Sequence, residues 1–456
     1  MTQTDLTRSS LRSLRTLRNG LLAAAVLGVG AGIAPMSAEV LVIRGGTVHT
    51  PSGASVATVL VRDGAIAEIG PQVAAPAGAK VLDASGLHVY PGLFDAFSRL
   101  GLTEIDSVGA TVDVAEMGDY NPHLVAATAI HPASEVIPVT RASGITHAVV
   151  APGSSGGGGF FGGGGGSVIP GQASVVSLDG WTVEEMAIEA QAALVLTWPT
   201  LRTRTFDLAT FSVRNRPFAE VEKEYEEQLD SLRDWLEAAR HYDQATARGD
   251  ASKFDRNWEL EALVPYVRGE RVVMAVANSA RQIRDAVALA EDEGLKLVLA
   301  GGDEAWREKE LLAEKGVPVI LGPTQRLPGE EDEPYDQPFT APQELHEAGV
   351  KIAFASFDAA RSRRLPTYAA IAAGYGLPRD QALASVTRNA AEMLGIGDRV
   401  GTIEPGKIAN LIVTDGDPLE IRTQVRHLVI EGREVSTDNK HRRSWEMWSS
   451  RPTAAP

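Results

Sequence analysis

The side chains best equipped for chemistry in this 456-residue chain are nine histidines, an excess of carboxylates and a run of arginines; there is no cysteine. Without cysteine there is no disulfide, no thiol nucleophile, no thiolate zinc site and no acylated-cysteine anchor. A catalytic zinc needs about three protein ligands converging on one point. His123 and His131, in DYNPHLVAATAIHPASEVIPVTR, stand eight residues apart with no carboxylate motif between them. His49, His88 and His427 fall in β-rich segments, His241 and His346 in helical ones, and His441 in the tail. Asp95, Glu104, Asp106, Asp113, Glu116 and Asp119 crowd one stretch, and the run Glu330–Asp336 reads as a solvated loop. None of them follows a calcium-loop pattern. Arg361, Arg363 and Arg364 come just after Asp358. Such a cluster neutralises acidic loops or holds an anionic ligand bidentately.

These residues need elements to position them. EVLVIRGGTVHTPSG, ASVATVLVRDGAIAEIG and AKVLDASGLHVYPG read as short strands with Gly45-Gly46 and Asp63-Gly64 as turns, and GTIEPGKIANLIVTDGDP and VRHLVIEGREV read likewise. The middle alternates: RVVMAVA, KLVLAGG, PVILGP and KIAFAS are each followed by a helical stretch. That pattern indicates an α/β fold with a parallel sheet wrapped by helices, a (β/α)8 barrel before an open doubly wound sheet. The expected organisation is a barrel over 91–395 and one small β-sandwich built from both chain ends, 39–90 and 396–438. A tail over 439–456 follows. Phe218, Val221, Tyr225, Leu229, Leu232, Leu236 and Ala239 recur at helical spacing and predict a long helix packed on the barrel or on a partner. Residues 152–172 are glycine-rich. Their backbone N–H groups can cradle an anion, but no Gly-Lys-Ser/Thr follows, and a loop over the barrel mouth with Phe160-Phe161 as a plug or partner contact is the expectation.

Hydrophobic and charged contents of 44% and 22% are those of an ordinary globular protein. The net charge of -16, with no basic cluster in the body of the chain, argues against nucleic acid and anionic membranes as partners. At the start, Arg8, Arg12, Arg15 and Arg18 precede an apolar run from Leu21 to Ala34 and a small-residue exit at PMSAEV. This is the layout of a signal peptide over 1–38, too short for a membrane span, with an uncleaved anchor as the alternative. The expectation is a bacterial periplasmic or secreted protein with no membrane contact once the leader is cleaved.

VLVIRGGTVHTPSG, VRDGAIAEIG and VLDASGLHVYPGLFDAF at the front, and LPTYAAIAAGYGLPRDQALASVTRNAAEMLGIGDRVGTIEPGKIANLIVTDGDP with VRHLVIEGREV at the back, resemble the amidohydrolase superfamily, in particular its imidazolonepropionase-like branch. The resemblance covers nearly everything after the leader. It implies a metal-dependent (β/α)8 barrel with a β-sandwich, and a hydrolase whose divalent metal activates water. The family ligands are His-x-His on the first barrel strand, often a carboxylated lysine, two later histidines and an aspartate that is also the general base. At the matching positions this chain has Phe97 and Arg99, Ser177, Val276, Gly301 with Gly302, and Phe357 or Asp358.

Three readings follow. The first is an amidohydrolase-fold protein with its metal ligands largely lost, no cofactor, and a role as non-catalytic subunit or regulator beside an intact paralogue or in a homo-oligomer. The second is an active hydrolase of carbon–nitrogen bonds with an altered zinc site using Asp358 as the catalytic carboxylate. The third is a binding protein holding an anionic small molecule through Arg99, Arg361, Arg363 and Arg364.

Overall fold

The computed structural model of the protein describes residues 40–153, 167–201, 203–207, 212–249, 256–329 and 332–451. The leader and Phe160-Phe161 lie outside the described residues. The strands are β1 (Val40–Thr50), β2 (Gly53–Arg62), β3 (Ala65–Gly70), β4 (Lys80–Asp83), β5 (His88–Pro91), β6 (Leu93–Ser98), β7 (Ile145–Val150), β8 (Gly171–Ser177), β9 (Ala187–Thr197), β10 (Arg204–Asp207), β11 (Ser212–Asn215), β12 (Val272–Ala277), β13 (Lys296–Gly301), β14 (Val319–Leu321), β15 (Ile352–Phe354), β16 (Leu411–Thr414), β17 (Val425–Ile430) and β18 (Arg433–Val435).

One eight-stranded sheet joins the two ends of the chain in the order β18-β17-β16-β5-β1-β2-β3, with β4 also on β1. The seam is β16 against β5, where Leu411 pairs with Pro91 and Ile412 with Tyr90. Its turns are legible locally. Asp63 (φ 50) and Gly64 (φ 80) are both left-handed, the backbone of a two-residue hairpin that matches strand twist, and they join Arg62 to Ala65. Leu41, Ile43, Val59, Ile66, Val89, Leu411, Val413 and Val429 form one core from both ends.

The second eight-stranded sheet is the barrel, in the order β15-β14-β13-β12-β9-β8-β7-β6. Its edges meet through Phe357 N–H donating to Phe97 O (2.9 Å) and Ser356 N–H donating to Asp95 (2.9 Å). Seven strands run parallel; β8 is antiparallel to both neighbours. The expected strand–helix alternation is interrupted there. A parallel return needs a crossover, usually a helix, whereas antiparallel neighbours can be joined by a short return. The connection between β7 and β8 is the glycine-rich stretch, of which residues 154–166 lie outside the described residues. The long helix, Phe218–Arg248, packs on the barrel side through Val221, Tyr225, Leu229, Leu232, Leu236 and Ala239; Phe218 is exposed. Tyr225 Oη accepts from Trp198 Nε1 (3.0 Å) and donates to Asp285 (2.5 Å), which fixes the helix beside the end of β9.

Candidate functional site

Parallel strands deliver their carboxyl ends to one face of a barrel, where sites are built. Inward residues alternate along each strand. On β6 Phe94, Ala96 and, past a register shift, Phe97 nearest that mouth face the interior; on β12 the row Val272, Met274 ends at Val276; on β13 the row is Val298, Ala300 and the strand ends at Gly301; on β15 Ala353, Ala355 leads to Phe357. On β9 the row Ala193, Val195 continues to Thr197.

Apolar rings fill the centre. Phe97 is fully buried, and its ring stacks on Phe357 at 4.5 Å between centroids and 21° between planes. Phe357 has φ 53, a left-handed conformation that costs a bulky residue about 1–2 kcal/mol. Its ring reaches toward Gly322 beyond β14, where an added Cβ would lie 3.9 Å from Phe357 Cδ2. Arg99 is buried beside the pair, with its guanidinium 5.3 Å from the Phe97 ring centre and Nη1 donating to Ala151 O. Burial pushes this guanidinium down to about 10, still charged at neutral pH. Gly301 (φ 95) has no room for a side chain, because a Cβ would meet Asn278 Oδ1 at 2.3 Å.

This donor set does not fit the metal that the resemblance implies. Phenyl rings, valine and glycine offer no lone pair, Thr197 offers a neutral hydroxyl, and Arg99 places a positive charge beside the centre. His123 and His131 are both exposed and do not converge there. Among the described residues no group of three or more histidine, aspartate or glutamate side chains is arranged to hold a metal ion.

Asp358 is bound by its own loop. Its carboxylate accepts from Arg361 N–H (2.9 Å) and faces Arg361 Nε at 3.5 Å, and its carbonyl accepts from Ser356 Oγ (2.8 Å). The Asp358 carbonyl also lies 3.5 Å from Arg99 N, so the two predicted site residues meet through backbone rather than side chains. Arg361 and Arg364 are exposed, and Arg363 Nη1 lies 3.0 Å from His441 Nδ1 in the helix Lys440–Ser449. The three arginines therefore sit outside the mouth while Arg99 is inside it. Ser177, at the family's lysine position in sequence, does not stand at the mouth. Because β8 is antiparallel, its carboxyl end lies at the floor, where Ser177 pairs with His147 and its Oγ donates to Glu431 (2.6 Å). Thr197, on the next strand, takes the place at the mouth.

An acid and a histidine are wholly buried, Asp95 from the carboxylate-rich stretch and His147, which carries no motif in the sequence. Asp95 is wholly buried, pushed up to about 6 by burial, and accepts from Ser356 N–H, Ser362 Oγ (2.5 Å) and Phe97 N–H (3.4 Å). It straps the segment after β15 to β6. His147, on the floor half of β7, is pushed down to about 3 by burial and is neutral, with Nδ1 2.7 Å from Thr146 Oγ1 and its ring 4.3 Å from Phe94.

Comparison with known proteins places this geometry. The family model described as Amidohydrolase family matches residues 284–438. The chain is 25% identical over 393 residues to amidohydrolase tasK of Hapsidospora irregularis, covering 82% of this chain and 39% of that protein. It is 52% identical over 62 residues to the dihydroorotase of Geobacter sulfurreducens, 13% of this chain and 15% of that one. The chain thus spans well under two thirds of these curated relatives. Among solved structures, an amidohydrolase from Thermotoga maritima MSB8 superposes with a TM-score of 0.72 at 25% identity, over 87% of this chain and 99% of that chain. Molinate hydrolase shares the fold with a TM-score of 0.51 at 16% identity, over 92% and 99%.

Proposed function

The chain belongs to the amidohydrolase superfamily, and from that premise we propose that it is a member without hydrolytic metal chemistry, acting as a non-catalytic subunit or regulator beside a metal-bearing relative or a second copy of itself. The observation that carries this reading is the stacked Phe97–Phe357 pair across the centre of the mouth. The family's chemistry rests on a metal that lowers the pKa of its bound water to about 7 and polarises a carbonyl. Here rings occupy the centre and Arg99 supplies a fixed positive charge. Asp358 alone falls short of about three protein ligands for a catalytic zinc. What the barrel keeps is its shell: the seam, the joined-end sheet and the packed long helix. Assays with acyl-dipeptides, lactams and cyclic imides test this. Turnover equal to buffer is expected; a chelator-sensitive rate that vanishes in Asp358→Ala would establish the alternative, a hydrolase of carbon–nitrogen bonds.

We also propose that the protein is exported and acts in the periplasm or outside the cell. The basic start and short apolar run support this, and among the described residues no helix is long and apolar enough to cross a membrane. Amino-terminal sequencing of the protein from its native host is expected to begin near Glu39. A start at Met1 would refute export by cleavage.

A further inference from the structure

At the barrel floor, opposite the mouth, a cavity of about 320 Å³ opens between the helix Gln337–Glu347, the start of β15 and the helices Arg379–Ser385 and Arg388–Met393. It is lined by His346, Lys351, Gln381, Arg388, Asn389 and Glu392. We infer that this cavity is a binding site for a small dianionic ligand, a phosphate monoester or a dicarboxylate, with Arg388 as its anchor. The inference is independent of the reading of the mouth.

The chain carries 59 acidic residues against 43 lysines and arginines, so carboxylates are plentiful. Partly burying a guanidinium without a partner is unfavourable. Accordingly Arg141, Arg216, Arg240, Arg271, Arg281, Arg326 and Arg399, all half-buried, donate to carboxylates or carbonyls, and half-buried Arg363 reaches His441. Arg388 is half-buried too, yet among the described residues its side chain has no hydrogen-bond or ion-pair partner. It faces the cavity, as does His346, whose ring is likewise unpaired among the described residues. The cavity's third basic group, Lys351, is held 2.7 Å from Glu392, which is the single carboxylate lining it.

Neutral groups complete the site. Asn389 donates through Nδ2 to Ile352 O (2.8 Å), which fixes the wall against β15, and Gln381 also lines the cavity. Two permanent cations and an imidazole against one carboxylate leave a net positive cavity in an acidic protein. Its volume lies at the small end of the range for ligand pockets. An arginine fork matches the paired oxygens of phosphate or carboxylate, and a dianion can engage Arg388 while displacing Glu392 from Lys351.

The test is isothermal titration calorimetry of the full chain with inorganic phosphate and with succinate, at ionic strength held constant with sodium chloride. One saturable site for at least one of the two is expected. Phosphate alone would assign a phosphate-bearing ligand, and succinate alone a dicarboxylate. Arg388→Gln is expected to weaken binding by about tenfold or more, the scale of a lost charge-assisted pair. Glu392→Gln, which removes the competing carboxylate, is expected to tighten it several-fold. A variant that merely loosened the fold would not tighten binding, so the opposite signs separate recognition from stability. Absence of saturable binding in the wild type, or equal affinity in all three proteins, would overturn the inference.

Discussion

Replacing Asp95 with alanine is expected to lower the stability of the protein by about 3 kcal/mol at pH 5, where the carboxyl is mostly protonated, the scale of leaving buried hydrogen-bond donors without their acceptor. The carboxylate gathers Ser356 N–H, Ser362 Oγ and Phe97 N–H where β6 meets the segment after β15, and the variant leaves those donors buried and unmet. The effect has a pH dependence with a definite sign. The folded-state carboxyl sits at about 6, above its ordinary value of 3.8. The native state therefore binds more protons than the unfolded chain between those values. The stabilisation from this group is fully present below 3.8 and is lost as pH rises through about 6. The destabilisation by Asp95→Ala should accordingly be smaller at pH 7.5 than at pH 5, by about 1.4 kcal/mol for the single unit involved. Urea denaturation of both proteins at the two pH values measures this. A difference that grows with pH would contradict the assignment of a burial-raised carboxyl.

Phe97→Ala is expected to cost about 3–5 kcal/mol, the range for emptying a buried aromatic site. The ring is 1% exposed and touches the barrel interior, Phe357 and Arg99, so its loss opens a cavity that the strands cannot close. The partner ring behaves differently. Phe357 is half-buried in a left-handed backbone conformation, which glycine adopts freely. Phe357→Gly should therefore be less destabilising than Phe357→Ala, although glycine removes more side chain. Thermal denaturation of the three variants checks the order. Equal losses for Phe357→Gly and Phe357→Ala would remove the claim of backbone strain at the mouth.

Much of the fold is legible in the sequence because local signals and packing agree. Asp63-Gly64 turns with both residues in left-handed backbone, and the strands it joins send Val59, Val61 and Ile66 into one core. The apolar runs RVVMAVA and KLVLAGG are buried parallel strands, as their length and following helices imply. The direction of β8 is not legible. All seven of its residues are buried, so its pattern matches that of a parallel core strand. Only the glycine-rich connection without a helical pattern marks a return rather than a crossover. Ser177 matches the family's lysine position in sequence, and the antiparallel run of β8 puts it at the floor instead of the mouth.

The mouth is half legible. Phe97, Arg99, Val276 and Gly301 stand at strand ends, as the flanking apolar runs place them. Asp95 was hidden because every residue of β6 is buried, so no alternation shows which side chain turns outward. Asp358 was drawn in by its position in the chain, whereas its carboxylate caps the turn that leads to Arg361. The arginines after it look like one cluster in sequence, but a turn of helix splits them between solvent and the tail helix.

The most direct measurement is the metal content of the purified, folded protein after exhaustive dialysis, by elemental analysis. A mouth closed by Phe97 and Phe357 and charged by Arg99 predicts zinc, manganese and iron all far below one equivalent per chain, even when the protein is produced with these metals in excess. One equivalent of any of them retained through dialysis, removable by chelator and lost in Asp358→Ala, would contradict the account.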